Sequence, residues 1–167
     1  MARLWPLGIV LVAQVGILAI VPARHVRARV SGTRITLRTV PFDPYDVMSG
    51  YYVRLSYEVE EKARRAGLED LEKRDLAWIE VRRAEPAWEF VAVTRDRPAG
   101  RADTVALPAR WTGGRFEIVG ARRLYIPESQ RERADEAAGR ALVDARVGSD
   151  GTVALIRMRF GELTFGD

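Results

Sequence analysis

Cysteine is absent from all 167 positions of the sequence. That excludes disulfides, thiolate metal sites and cysteine nucleophiles. Histidine is nearly absent too: His25 is the only one, just beyond an apolar N-terminal stretch. A Ser–His–Asp triad or a multi-histidine zinc site cannot be built from one ring placed there. Lysine is confined to Lys62 and Lys73, so arginine supplies nearly all the basic charge. The net charge of +4 arises from arginines scattered among carboxylates. Nucleic acid would call for Lys and Arg gathered on one face, so no nucleic-acid partner is expected. Repeats and low-complexity tracts are also missing. These absences leave little conventional catalytic chemistry, and no catalytic residue, metal or cofactor is assigned.

What is present begins with Leu4 to Ala23, LWPLGIVLVAQVGILAIVPA, 20 positions without a charged residue. At about 1.5 Å per residue this run spans roughly the 30 Å hydrocarbon core of a bilayer. Gln14 is its one strongly polar interruption, Trp5 suits an interface, and Pro22 marks the far end. The segment reads as a single N-terminal transmembrane helix with membrane lipid around it. Residues 1–29 then form the anchor and basic juxtamembrane stretch, and 30–167 the globular domain. Val21-Pro22-Ala23 carries the small residues of a cleavage site, but only Arg3 precedes the run and proline directly precedes the cut. A retained anchor is the better reading. Arg24, Arg27 and Arg29 would hold the domain in the cytoplasm by the positive-inside rule. Snorkelling to headgroups would satisfy them on either side.

The rest of the chain alternates in short runs. Arg34 to Val40 reads as a half-buried strand. Pro41 to Asp46 reads as a turn, with Pro44 fixing φ and Asp43 capping amides. Tyr52 to Val59 reads as a second strand, with Val53, Leu55, Tyr57 and Val59 on one face. Glu60 to Asp75 is a charged surface helix or excursion broken near Gly67. Strands are expected at 78–83, 88–95, 105–110, 115–119 and 122–126, with a Gly113-Gly114 hairpin turn. A helix should open after Pro127 and run from Glu128 to Ala141. Runs at 141–147 and 153–160 flank Ser149-Asp150-Gly151, a hairpin signal, and 161–165 adds an edge strand. The fold class is therefore α+β, mainly antiparallel sheet with one or two surface helices.

Arg38 to Val59, RTVPFDPYDVMSGYYVRLSYEV, holds the most distinctive spacing. It resembles the defining stretch of the GDYXXLXY family, a T-x-P-x-D-P turn followed by G-D-Y-x-x-L-x-Y. Thr39, Pro41, Asp43, Pro44 and Asp46 match the first part. Gly50, Tyr52, Leu55 and Tyr57 match the second. Tyr51 stands where the family has aspartate, and Ser49 replaces the usual basic residue. Tyr125-Ile126-Pro127-Glu128 resembles the family's aromatic-x-P-E element, and the hairpin from Val143 to Arg159 also fits. The resemblance implies a bacterial protein with one membrane helix, a domain outside the cytoplasm, and a polytopic membrane protein as companion. It brings no activity, cofactor or catalytic residue.

Four candidate sites have plainer alternatives. Asp43 and Asp46 could offer oxygens to calcium, but two carboxylates are few and turn capping accounts for them. Tyr45, Tyr51, Tyr52 and Tyr57 could form an exposed platform for a protein or glycan, with Tyr45 and Tyr51 its best members. Core packing with a bonded hydroxyl is the alternative. A membrane-tethered hydrolase using Ser with Lys, or paired carboxylates, would need a desolvated lysine beside Ser49 or Ser56. Both lysines sit in the most charged stretch. Arg64-Arg65 and Arg122-Arg123 could meet acidic lipid, though solvated charge is the commoner fate of such pairs. An accessory interaction module is the first reading.

Overall fold

The computed structural model describes residues 5–41, 52–125, 128–130, 133, 137 and 139–166. Helix α1 spans Trp5–Ser31. It is the one helix among the described residues long and apolar enough to cross a membrane. Its side chains from Ile9 to Ile20 are all exposed, so the domain covers none of them. Pro22 does not end the helix, which runs on to Ser31.

The helix stops where its last turn meets sheet. Gly32 donates its amide to the Ala28 carbonyl at 2.9 Å, and Ser31 Oγ donates to Arg27 O at 2.9 Å. Ala28 is buried there. A Cβ on Gly32 would stand 2.4 Å from Ala28 O and 3.0 Å from the Val147 backbone, so only glycine permits this approach. Strand β1, Thr33–Val40, begins one residue later.

Five further strands and a helix precede the remaining sheet: β2 (Tyr52–Arg54), β3 (Ser56–Tyr57), α2 (Glu58–Ala66), β4 (Leu76–Arg82), β5 (Glu89–Thr94) and β6 (Thr104–Trp111). Then come β7 (Phe116–Ile118), β8 (Arg123–Tyr125), β9 (Leu142–Val147), β10 (Val153–Phe160) and β11 (Leu163–Gly166). One sheet has the order β11-β10-β9-β1-β3, a second β5-β4-β6-β7, and β2 pairs with β8 in a separate ribbon. All these pairings are antiparallel. The α+β, antiparallel reading therefore holds.

Alternation explains the core. Ile35 and Leu37 of β1 register with Ala145 and Val143 of β9, and all four are buried. Ala77, Ile79 and Val81 of β4 and Leu107 and Ala109 of β6 bury the facing side of the second sheet. Both sets belong to one hydrophobic cluster. Burying each of the Ile, Leu and Val side chains among them contributes about 1.5–3 kcal/mol. At the β9–β10 hairpin, Gly151 has φ +87°, and a Cβ there would meet the Trp78 ring at 3.0 Å. The hairpin tip of the first sheet thus rests on the second.

One expected strand is different. The run 52–59 is not continuous: β2 ends at Arg54, β3 covers only Ser56–Tyr57, and α2 starts at Glu58. Val53, Leu55, Tyr57 and Val59 are all buried nonetheless. Alternation supplied the right faces, but three acidic residues in the first turn, Glu58, Glu60 and Glu61, favour a helix N-terminus. The helix ends at Gly67, whose φ of 72° suits glycine, so the charged excursion is helical only to Ala66. At the other expected helix, Glu128–Gln130 form a 3-10 turn, with helical geometry again at 133 and 137.

Candidate functional site

Of the motif residues, Thr39, Pro41, Tyr52, Leu55 and Tyr57 are described. Asp43, Pro44, Tyr45, Asp46, Gly50 and Tyr51 lie outside the described residues, as do Ile126 and Pro127. The turn and calcium readings of 41–46 therefore fall there too.

The described motif residues are tied into the fold. Thr39 Oγ1 donates to Ala141 O at 3.0 Å and accepts the Ala141 amide at 2.7 Å, extending the β1–β9 pairing by one residue. Leu55 is fully buried and its amide donates to Arg122 O at 2.9 Å. Tyr57 is fully buried, and its phenol donates to Ala121 O at 2.6 Å. Burial, with Glu60 nearby, pushes that phenol well above its ordinary pKa and keeps it protonated. Pro41 is exposed and packs against Gly139, where a Cβ would come within 3.0 Å of Pro41 Cα.

Beside Tyr57 stands Glu60, a buried carboxyl that the sequence did not single out. Its Oε2 accepts the Tyr57 amide at 3.0 Å and its Oε1 accepts the Ile118 amide at 2.7 Å. It thus caps the start of α2 and clamps that turn to β7. Burial raises its pKa to about 7, against the lowering effect of both amides and Arg122. The spacing from Tyr57 to Glu60 is that of a capping box, hidden because the N-cap is tyrosine instead of Ser or Thr. A cleft of about 270 Å³ opens here, bordered by Pro41, Ser56, Glu60, Arg64 and Arg115. A carboxyl titrating near neutrality beside a cleft has the pKa of a general base. Both its oxygens are occupied by backbone amides, however, and the Tyr57 hydroxyl is committed to Ala121. The arrangement is that of a structural clamp.

A second cluster lies on the β2–β8 ribbon. Tyr52 and Tyr125 stack edge to face with centroids 6.0 Å apart, and the Arg123 guanidinium sits 4.8 Å from the Tyr52 ring centre. Tyr125 is 69% exposed. A cavity of about 470 Å³ borders Arg110, Glu117, Arg122, Arg123 and Tyr125. Glu117 accepts from Arg115 at 3.0 Å and pairs closely with Arg122. The exposed aromatic of this ribbon is therefore Tyr125.

On the outer face of the first sheet, Asp144 is 5% exposed. It accepts Thr36 Oγ1 at 2.9 Å, Arg157 Nε at 2.8 Å and an Arg159 guanidinium nitrogen at 2.9 Å. Burial works to raise this carboxyl, but the three hydrogen bonds outweigh it and hold it below its ordinary value.

Neither lysine meets a buried serine. Lys62 pairs with Glu58 at 2.8 Å and is 44% exposed, and Lys73 is exposed. Among the described residues no three His, Asp or Glu side chains gather as a metal site. No curated protein and no solved structure matches this chain. A family model does, described as GDYXXLXY protein, over residues 14–158. That match runs from within α1 into β10 and includes the Tyr57–Glu60 clamp and Asp144 with its partners Thr36 and Arg157. The chain belongs to the GDYXXLXY family.

Proposed function

We propose that this protein is a membrane-anchored accessory module that contacts an integral membrane or envelope partner. The observation that carries the reading is the division of α1. Its apolar side chains from Ile9 to Ile20 are left uncovered, while its last turn is fastened to the domain. A soluble protein would gain by folding that apolar surface inwards, whereas in a bilayer it is the side that faces lipid or another helix. Gly32 bonded to Ala28 O and Arg146 bonded to Val30 O join the domain directly to the last turn of α1. Such a module presents a fixed surface to a polytopic neighbour. We place the domain outside the cytoplasm, as the family resemblance implies.

The test begins with membranes from cells producing the full chain, washed at alkaline pH. Retention in the pellet supports an integral anchor, and release overturns it. A photoreactive residue in place of the exposed Tyr125 then reports the partner by mass spectrometry. One dominant membrane or envelope adduct supports the module reading; the absence of any adduct in the retained protein counts against it. Protease digestion of sealed vesicles of known sidedness fixes the orientation, and protection on the cytoplasmic side only would support the proposed placement.

A further inference from the structure

A third cavity, of about 250 Å³, lies where α1 leaves the apolar run and meets β8 and β10. Its lining combines His25, Arg29 and Arg123 with Tyr125, Leu155 and Ile156. Every ionisable group among the described lining residues is basic or aromatic; no carboxylate is among them. The hydrophobic side chains come from the sheet and the basic ones from the helix and ribbon. That is an amphipathic recess with a positive rim.

Its depth is set by the helix. His25 and Arg29 follow Ala23 by two and six residues, so they stand about 3 and 9 Å beyond the end of the apolar run along the helix axis. The headgroup layer on each side of a bilayer is roughly 5–8 Å thick, from the difference between total and hydrocarbon thickness. The mouth of the recess therefore begins within that layer at His25 and reaches its outer boundary at Arg29. Tyr125, 69% exposed at the same mouth, is the kind of side chain that settles at a membrane interface. The neighbouring cavity shares Arg123 and Tyr125 and adds Arg110 beside the Glu117–Arg122 pair, so the purely basic lining is confined to the recess at α1.

We propose that the recess between α1, β8 and β10 binds the phosphate of an anionic phospholipid headgroup, with His25, Arg29 and Arg123 around the phosphate and Tyr125 in the interface. This rests on the anchored reading above. The occupant is argued from charge complementarity and from depth. A lipid phosphate in the leaflet would meet this rim without leaving the membrane, and the apolar sheet residues would face the acyl side of the glycerol.

The absence of native cysteine makes single labels unambiguous. The full chain is reconstituted in nanodiscs of phosphatidylcholine with phosphatidylglycerol, carrying a nitroxide after either V12C or Y125C substitution. Relative accessibility to oxygen and to a water-soluble nickel complex gives the depth of each label. Native mass spectrometry of the unlabelled chain counts phosphatidylglycerol retained, for wild type, Arg123→Gln and Arg29→Gln. The expected result is a deep label at position 12, a headgroup-depth label at position 125, and about fivefold weaker retention for each variant, the effect of one basic residue near an anionic surface. A deep label at 12 with an aqueous label at 125, or unchanged retention in both variants, would overturn the lipid site while leaving the anchor standing. An aqueous label at 12 would sink the anchor reading and the site with it. Displacement of the lipid by millimolar inorganic phosphate would overturn the lipid source and assign the recess to free phosphate.

Discussion

Glu60 accepts the amide of Ile118 at 2.7 Å, joining the first turn of α2 to β7 across 58 residues of sequence. The carboxyl is 7% exposed and burial holds its pKa at about 7, above its ordinary value of 4.5. A raised folded-state pKa means that the folded chain keeps this proton after the unfolded chain has lost it. The group's contribution is therefore fully present below pH 4.5 and is lost as pH rises towards 7. The loss amounts to about 3 kcal/mol from the size of the shift. Glu60→Gln carries no such titration. Denaturant unfolding of the full chain in detergent should show wild type losing stability relative to the variant across that window. Parallel pH profiles would show that Glu60 is ionised throughout.

Tyr57 brings a second expectation. Its hydroxyl donates to Ala121 O at 2.6 Å in a fully buried site. Tyr57→Phe keeps the ring and removes the donor, leaving a buried carbonyl short of a partner. The expected cost is about 1–3 kcal/mol, read as a lower unfolding midpoint with an unchanged denaturant slope. A change within measurement error would mean that water reaches Ala121 in the folded state.

These two residues also show how far the sequence could be read. Alternation in 52–59 placed Val53, Leu55, Tyr57 and Val59 on one buried side, and all four are buried. It could not distinguish a strand from a strand that turns into a helix, because Tyr57 and Val59 point inward in both. The 2-residue period was right about faces and wrong about backbone beyond Tyr57. Glu60 was invisible for a different reason. Its partner Ile118 is remote in sequence, and a buried glutamate looks like any surface glutamate until the fold brings an amide to each oxygen. Asp144 is similar: its neighbours Arg157 and Arg159 follow on the next strand, but their convergence depends on the bulge between Leu155 and Arg157. The hairpin itself was legible because Ser149-Asp150-Gly151 is a local signal, and Gly151 has the positive φ that such a turn needs.

Asp144 holds two arginines at once, so its removal strands both. Arg157 and Arg159 are 44% and 39% exposed, and water will recover part of the loss. Asp144→Asn is expected to destabilise the chain by about 1–3 kcal/mol at neutral pH. The folded-state pKa here is depressed, so the contribution is present above the ordinary value of 3.8 and fades as pH falls through the folded value. Wild type and variant should thus converge only in strong acid. Convergence already at neutral pH would show that the arginines are held by something other than Asp144.

The junction between α1 and the sheet makes the sharpest steric prediction. A Cβ on Gly32 would stand 2.4 Å from Ala28 O and 3.0 Å from the Val147 backbone. Both obstacles are main chain, so no rotamer change relieves them; either the helix end or β9 must move. Overpacking of this kind costs about 1–3 kcal/mol. Gly100 is the matched control, since nothing lies within 4 Å of a Cβ there. Gly32→Ala should lower the unfolding midpoint and expose the 28–33 junction to protease, while Gly100→Ala changes neither. The same displacement would pull Arg146 from Val30 O, now 2.5 Å away, and so loosen the domain on its helix without unfolding the sheets. If Gly32→Ala left the junction as protease-resistant as wild type, the helix and domain would not be rigidly joined, and a fixed surface presented to a membrane partner would lose its basis.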